Sequence, residues 1–154
     1  MKPGFRKSFH RSLDSKGRLM LPPEYRDIIC AASGSGSFVL TGYSGFIVAY
    51  TIPEWEIFEE KLYEVENPSQ DLSNLRRQVR GRAEELELDP QGRARVSQAL
   101  MRFAGLSKDV LLLGQGSTFE IWDTQRFEDS TKLEGAALGA VAKELAQSGI
   151  KFSP

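Results

Sequence analysis

A short block of sequence occurs twice in this chain of 154 residues, and this repetition limits the folds that the chain can adopt. The segment Leu13–Leu21 matches the segment Leu88–Val96 at an offset of 75 residues, with the residues of Leu-Asp-x-x-Gly-Arg identical. Further along, Phe46–Thr51 matches Phe119–Thr124 at an offset of 73 residues. Matching blocks in the same order, with a slowly drifting offset, indicate a duplicated structural unit.

Each copy is organised around an Asp-x-x-Gly-Arg turn between apolar residues. In the first copy we expect Asp14 to accept hydrogen bonds from backbone amides ahead of it, and Gly17 to adopt a positive φ. A loop of three to five residues with a left-handed glycine is typical of a β-hairpin, so the pattern predicts two hairpin strands with Arg18 just past the turn. The equivalent residues of the second copy are Asp89, Gly92 and Arg93.

A short helix and a second strand pair are predicted after each turn. Proline and an acid in Pro22–Arg26 favour a helix that continues to about Ala31, and Ser97 can cap a helix that Gly105 ends. The predicted strand pairs are Phe38–Thr41 with Phe46–Tyr50, and Val110–Leu113 with Thr118–Trp122. Each copy is therefore predicted to be a β-β-α-β-β module, and two such small modules would share one core.

Amphipathic helices are predicted outside the modules. Pro53 begins one helix, a second begins at about Ser69, and apolar residues at intervals of four predict a tail helix from Phe127 to Gln147. These helices could pack on their own core or against a neighbouring subunit. The predicted fold class is therefore α+β and β-rich, with two tandem modules. The expected domains are module 1 at 8–55, a helical connector at 56–83, module 2 at 84–126 and a C-terminal helical tail at 127–154.

Several classes of protein are disfavoured by composition. The single cysteine, Cys30, rules out an intramolecular disulfide and fits a reducing, cytoplasmic compartment, and its apolar neighbours predict a buried, inert thiol. We see neither a signal peptide nor an apolar run long enough to span a membrane. With His10 as the single histidine, no ligand pair for a metal and no catalytic triad is evident, so we expect no metal, cofactor or small-molecule substrate and no enzyme.

The charge of the chain is unevenly distributed. The formal net charge is −1, but residues 1–26 hold seven basic side chains against two acidic ones, a net of +5. A basic arm on a near-neutral body is a candidate surface for a polyanion, although it could also be merely solvated. The basic residues of this arm are Lys2, Arg6, Lys7, Arg11, Lys16, Arg18 and Arg26.

Two features of this charge pattern leave alternatives open. A hairpin with cationic residues at its base can enter a DNA groove, where arginine binds phosphates or guanine bidentately. Arg18 and Arg93 could instead pair with Asp14 and Asp89 and so fix the turns. The helix after Pro53 is rich in glutamate, and its acidic surface could face solvent or another subunit.

The order of several motifs resembles the MraZ family over roughly residues 5–147. Asp14–Arg18 with Leu21-Pro22 and Tyr25-Arg26 resembles the first module of that family, and Asp89–Arg93 with Ala104–Leu106 resembles the second. The supporting blocks are Pro53–Glu56, Gly114–Gly116 and Phe119–Trp122. The turn motif alone is weakly specific, whereas all these blocks in order are specific.

The resemblance implies a bacterial regulator of transcription of the division and cell-wall gene cluster, including its own operon. It implies modules similar to those of the SpoVT and AbrB regulators, paired within one chain as a swapped-hairpin barrel. It also implies a nucleoid-associated, ring-shaped homo-oligomer that binds short direct repeats in promoter DNA.

DNA contact is expected at Lys16 and Arg18 first, then at the arm residues Arg6, Lys7 and Arg11, and at Arg93. The second copy departs from the family pattern, since Gln91 replaces Lys16, Ser97-Gln98 replaces Pro22-Pro23, and Met101 replaces Arg26. We therefore expect unequal roles for the two copies. A protein-binding or scaffolding oligomer, such as an antitoxin-like module, is the alternative function.

Overall fold

The computed structural model describes residues 4–152, so Lys2 of the basic arm and the last two residues of the expected tail lie outside them. The chain divides into two compact units, one ending at Thr124 and one beginning at Gln125. None of the helices in the described part of the chain combines the length and the apolarity that crossing a bilayer requires.

The described chain is strand-rich and mixed α+β, which confirms the predicted class, and the strand and helix order β-β-α-β-β occurs in both copies. The first copy contains β1 (Ser8–Ser12), β2 (Arg18–Met20), α1 (Pro23–Ser33), β3 (Ser37–Tyr43) and β4 (Phe46–Thr51). The helices α2 (Ile52–Glu64) and α3 (Gln70–Arg82) follow. The second copy contains β5 (Glu84–Glu87), β6 (Arg93–Arg95), α4 (Gln98–Ala104), β7 (Asp109–Gly114) and β8 (Thr118–Asp123). The second unit consists mainly of α5 (Thr124–Ser130) and α6 (Ala136–Gln147).

The two copies exchange their first strands. A six-stranded antiparallel sheet has the order β1-β7-β8-β4-β3-β5, so β1 pairs with β7 of the second copy and β5 pairs with β3 of the first. The remaining strands, β2 and β6, form a separate two-stranded ribbon. Equivalent strands of the two copies occur in the same order from either edge of the sheet, which gives the first unit an approximate two-fold symmetry.

The strand pairing corrects the predicted hairpin. The first turn is closed by the amide of Asp14, which donates to the carbonyl of Arg18 at 3.0 Å. The strands on either side then diverge, because Leu13 donates to Lys108 at 2.8 Å, whereas Gly17 accepts from Val96 at 2.9 Å. Thus β1 joins the sheet, β2 joins the ribbon, and the two do not pair with each other. The sheet ends at β1 and β5, and no described strand closes it into the expected barrel.

The main hydrophobic core lies between the sheet and a layer formed by the ribbon, α1 and α4. Strand alternation points every second ribbon side chain inward, and Leu19 and Ala94 are paired at the centre of the ribbon and fully buried. The other buried members from this layer are Leu21, Tyr25, Ile29, Val96, Leu100 and Ala104, and those from the sheet are Phe38, Leu40, Ile47, Ala49, Val110, Leu112, Phe119 and Ile121.

A second apolar cluster covers the other face of the sheet at β3 and β4. Tyr50 packs against Trp55 and Phe58 of α2, with ring centroids 5.3 and 5.2 Å apart. From α3, Val79 is buried, and its carbonyl accepts a hydrogen bond from the buried Thr41 hydroxyl at 2.6 Å. Because this contact satisfies a polar group inside the protein, it fixes α3 on the sheet.

Two helical predictions need correction. Cys30 is exposed, because the helical period turns Tyr25 and Ile29 of α1 toward the core and leaves Cys30 on the outer side. The predicted tail helix is interrupted between Ser130 and Ala136, where Gly135 has a φ of 62° that a right-handed helix does not accommodate.

Candidate nucleic-acid interface

The first turn is held together by one carboxylate. Asp14 Oδ1 accepts from the amides of Lys16 and Arg18, each at 2.9 Å, and Oδ2 accepts from Arg18 Nε at 2.6 Å. Gly17 has a φ of 76°, as predicted for the left-handed position. An added Cβ there would lie 2.8 Å from the Val96 carbonyl oxygen, so the ribbon ladder leaves no room for a side chain.

The second turn repeats this geometry. Asp89 accepts from the amides of Gln91 and Arg93 at 2.9 and 2.8 Å, and from Arg93 Nε at 2.7 Å. Gly92 has a φ of 82°. The structure therefore contains the ion pairs that the sequence left as an alternative role for the two arginines.

The hydrogen bonds of these turns favour the ionised aspartates. The amide of Arg18, and then its side chain, lower the pKa of Asp14 from 3.8 to about 2. The amide of Arg93, followed by its side chain, likewise lowers the pKa of Asp89. At neutral pH each turn thus contains an ionised aspartate paired with the positively charged arginine beside it.

The two turns differ in how many hydrogen bonds the arginine side chain makes within the turn. In the second turn, Arg93 Nη2 also donates to Gln91 Oε1 at 2.7 Å. The equivalent position in the first turn holds Lys16, whose ammonium group cannot accept a hydrogen bond. Arg18 Nη1 and Nη2 have no partner within residues 4–152, so the first turn leaves both terminal nitrogens, with their four N–H groups, available to a ligand.

The outer face of the ribbon brings four side chains together. The register places Arg18 opposite Arg95 and Met20 opposite Arg93, and side chains at paired positions project from the same face. Arg18 and Arg93 are 33% and 26% exposed, and Met20 is 40% exposed, so the face is open to solvent. We call Arg18, Met20, Arg93 and Arg95 the ribbon face.

Sequence reasoning missed Arg95 and Met20. The Arg-x-Arg spacing of Arg93 and Arg95 was a usable signal, because alternate residues of a strand share a face. Only the pairing of β2 with β6, which is a long-range feature, reveals that Arg95 lies opposite Arg18.

Of the predicted arm residues, Arg11 reaches the ribbon. Its Nε donates to the carbonyl of Met20 at 3.2 Å, so its guanidinium group bridges β1 and β2. Lys7 Nζ lies instead 3.4 Å from Glu24 Oε2 at the start of α1. The carbonyls of Arg6 and Lys7 both accept from the Tyr25 hydroxyl at 3.0 Å, which anchors this segment on α1.

A helix of each copy covers the turn of the other copy. Met101 of α4 lies against Gly17, and Arg26 of α1 lies so close to Gly92 that a Cβ there would clash with its side chain. The Nε atom of Arg26 is buried without a hydrogen-bond partner among the described residues. Arg26 and Met101 occupy equivalent positions of the repeat. The two turns therefore differ in the side chain that packs against them as well as in their own residues.

The chemistry of the ribbon face suits the binding of a polyanion. Guanidinium groups donate hydrogen bonds, accept none and stay charged, so they bind phosphates and base edges but transfer no protons. The fold and the ribbon together describe a strand-rich α+β protein with a candidate site for a polyanion.

The family of the chain follows from comparison with known proteins. A family model described as "MraZ protein, putative antitoxin-like" matches residues 5–77 and 80–146, and each matched segment contains one Asp-x-x-Gly-Arg turn. The chain belongs to the MraZ family, which comprises transcriptional regulators and not enzymes.

Curated relatives extend over nearly the whole chain. "Transcriptional regulator MraZ" of Nitratidesulfovibrio vulgaris strain Hildenborough is 51% identical over 148 residues, which are 96% of this chain and 97% of the relative. The protein of that name from Oleidesulfovibrio alaskensis is 47% identical over 148 residues, with the same coverage. The one from Nitrosomonas europaea is 41% identical over 124 residues, or 80% of this chain and 84% of the relative.

Proposed function

We propose that this protein regulates transcription by sequence-specific binding of DNA through the ribbon face. The observation that carries this proposal is the set of three arginines that β2 and β6 present on one exposed surface. A two-stranded β-ribbon fits the major groove of B-DNA, and arginine binds the O6 and N7 atoms of guanine bidentately. The names of the relatives, which are transcriptional regulators, support the same function.

The first turn is the main recognition element in this proposal. Arg18 keeps both terminal nitrogens available while its Nε donates to Asp14, so the guanidinium group is oriented before DNA binds. Lys16 and Arg11 place further positive charge at the turn and beside β2. Arg93 has a smaller role, because Gln91 occupies one of its donors. Arg6 and Lys7 contribute to the attraction of phosphates from the start of β1.

The target and assembly are proposed from the family resemblance. The protein binds short direct repeats in the promoter of the division and cell-wall gene cluster, including its own operon, as a nucleoid-associated homo-oligomeric ring. The net charge of −1 makes one chain a weak ligand for DNA, whereas several ribbons in one ring bind adjacent repeats with a multiplied affinity. The strand exchange between copies supports SpoVT/AbrB-like modules at 8–55 and 84–126, joined by the connector 56–83 and followed by the tail 127–154.

The duplication supplies a matched pair of variants that tests the proposal. Arg18→Ala and Arg93→Ala remove equivalent arginines and equivalent ion pairs with aspartate. We expect Arg18→Ala to weaken binding to the DNA upstream of the protein's own gene by about tenfold to a hundredfold, the range for a lost bidentate contact. Arg93→Ala should weaken it less. Binding is measured by fluorescence anisotropy at one fixed, moderate salt concentration.

The comparison separates recognition from turn stability. Thermal unfolding shows whether loss of the ion pair destabilises the two variants equally. Light scattering shows whether either variant has changed its assembly size. Unchanged affinity in Arg18→Ala, or equal losses in the two variants at equal stability, would contradict the assignment of Arg18.

A second candidate function is protein binding, as in an antitoxin-like module. The description of the matching family uses that term, and α2 and α3 expose the apolar residues Ile57, Tyr63 and Leu75. This function predicts that the chain alone does not select any DNA sequence. The anisotropy measurement on the native chain therefore distinguishes the two functions.

A further inference from the structure

The ribbon face is built on an approximate two-fold axis that its own residues break. Leu19 and Ala94 are equivalent in the repeat and lie opposite each other, so the axis passes between them. Arg18 and Arg93, one residue before that pair, are identical. One residue after it, the first copy has Met20 and the second has Arg95.

Arg95 is an uncompensated charge on this face. It is exposed and has no hydrogen-bond or ion-pair partner within residues 4–152, whereas Arg18 and Arg93 each pair with an aspartate. It also lies directly opposite Arg18, an arrangement of like charges that destabilises a sheet. A ligand with hydrogen-bond acceptors relieves this repulsion, and the guanidinium fork matches guanine in the major groove.

Met20 is an apolar side chain on an otherwise basic face. Its neighbours Leu19 and Leu21 are completely buried, whereas Met20 is 40% exposed and projects away from the core. Arg11 holds the backbone at this position through the Met20 carbonyl. In the major groove, an apolar side chain contacts the C5 methyl group of thymine, and the unbranched thioether of methionine adapts readily to such a surface.

We propose that Met20 and Arg95 determine the sequence specificity of the ribbon, with Arg95 binding a guanine edge and Met20 covering a thymine methyl group. This inference rests on the DNA-binding function proposed above. A symmetric ribbon binds the two DNA strands alike and therefore prefers a palindrome. The exchange of arginine for methionine at equivalent positions makes the preferred sequence directional.

The test is Arg95→Met, which gives the two equivalent positions the same residue and so removes the asymmetry of the ribbon face. This variant leaves the residues of both turns unchanged. Native chain and variant are each used to select bound duplexes from a library of randomised DNA. We expect the native chain to select a non-palindromic motif, and Arg95→Met to select a more nearly palindromic one that has lost the guanine preference. The affinity of the variant for the native motif should fall about tenfold.

Two further single variants give an independent test if Arg95→Met does not fold. Arg95→Lys keeps the charge but removes the planar fork, so it should lose the preference for guanine. Met20→Ala should lose the preference for thymine.

The outcomes separate this inference from the proposed function. A native chain that selects a motif, with variants that select the same motif at the same affinity, overturns the role of Met20 and Arg95 alone. A palindromic native motif also overturns it, while DNA binding by the ribbon remains. A native chain that selects no motif overturns both.

Discussion

At the scale of single residues, the aspartate of each turn determines where its arginine lies. Asp14 accepts three hydrogen bonds, two of them from backbone amides, so a short loop becomes a rigid support for Arg18. The arginine is therefore both a structural partner and a candidate ligand-binding group. These roles do not conflict, because Nε contacts the carboxylate and the terminal nitrogens point elsewhere on the guanidinium group.

Acid should weaken the fold through these aspartates. The pKa of Asp14 is about 2 in the folded chain and 3.8 as its ordinary value. Between these values the unfolded chain binds more protons, so the free energy of unfolding falls as the pH decreases from about 4 to about 2. In Asp14→Asn this part of the decline should be absent, and chemical denaturation at a series of pH values measures it.

A control at an aspartate outside the turns is Asp27→Asn, which changes an exposed residue of α1. The Asp27 carboxylate accepts no hydrogen bond and forms no ion pair among residues 4–152, so this variant removes a carboxylate while it leaves the hydrogen bonds of both turns in place. The explanation fails if Asp14→Asn and the native chain lose stability in parallel.

At the scale of elements, arginines of α3 hold α2 in place. Arg76 donates to the carbonyls of Leu62 and Val65 at 2.9 and 2.8 Å and so satisfies the C-terminal end of α2. Arg76 and Arg80 both lie over the ring of Tyr63, with guanidinium carbons 4.9 and 4.1 Å from its centroid. Arg80 also pairs with Glu59 at 3.2 Å, so part of the acidic surface of α2 is compensated within the chain.

Arg76→Ala should destabilise the protein by about 1.5–3 kcal/mol, because it removes charged hydrogen bonds to the end of α2. Arg77 is the matched control: it is adjacent and exposed, and it donates to Asn74 on its own helix. Arg77→Ala should change stability by less than about 0.5 kcal/mol. Urea unfolding of both variants measures the difference, and equal effects would show that Arg76 does not hold the helix pair together.

The sequence could predict the local elements of this fold but not their long-range pairing. Ser69 and Ser97 cap helices, and Gly17 and Gly92 take positive φ, because these preferences depend on a few neighbouring atoms. The assignment of β1 to β7 depends on residues about 100 positions apart, and no local signal encodes it. For the same reason the face shared by Arg18 and Arg95 could not be inferred.

Cys30 shows how a composition argument can fail. The apolar run around it suggested burial, but in a helix the position of a residue relative to Tyr25 and Ile29 matters more than the nature of its neighbours. The prediction of one tail helix failed for a different reason. Leu133 fits the four-residue spacing of a helix, but it lies just before Gly135 in the break between α5 and α6.

At the scale of the whole molecule, strand exchange makes the two copies interdependent. The ladder partner of β1 is in the second copy, the partner of β5 is in the first, and the ribbon takes one strand from each. Their inward residues meet in one core. Neither copy buries its apolar face without the other.

Division of the chain at Asn67-Pro68, between α2 and α3, should therefore abolish folding of each fragment as a monomer. An equimolar mixture of residues 1–67 and 68–154 should recover a cooperative unfolding transition, because all the ladders can form again. Circular dichroism and analytical ultracentrifugation measure both effects. A single fragment that unfolds cooperatively as a monomer, with a midpoint independent of concentration, would show that the copies are autonomous.

The joining of both copies in one chain has a genetic consequence for the ribbon. A ribbon assembled from two identical chains would carry every mutation at two sites, so its two ends could never change separately. Here a single codon alters one end and leaves the other as it was, which is how Lys16 can face solvent while Gln91 bonds to an arginine. Mutation can therefore alter the binding preference of one end of the ribbon at a time, while Leu19 and Ala94 keep its buried centre intact.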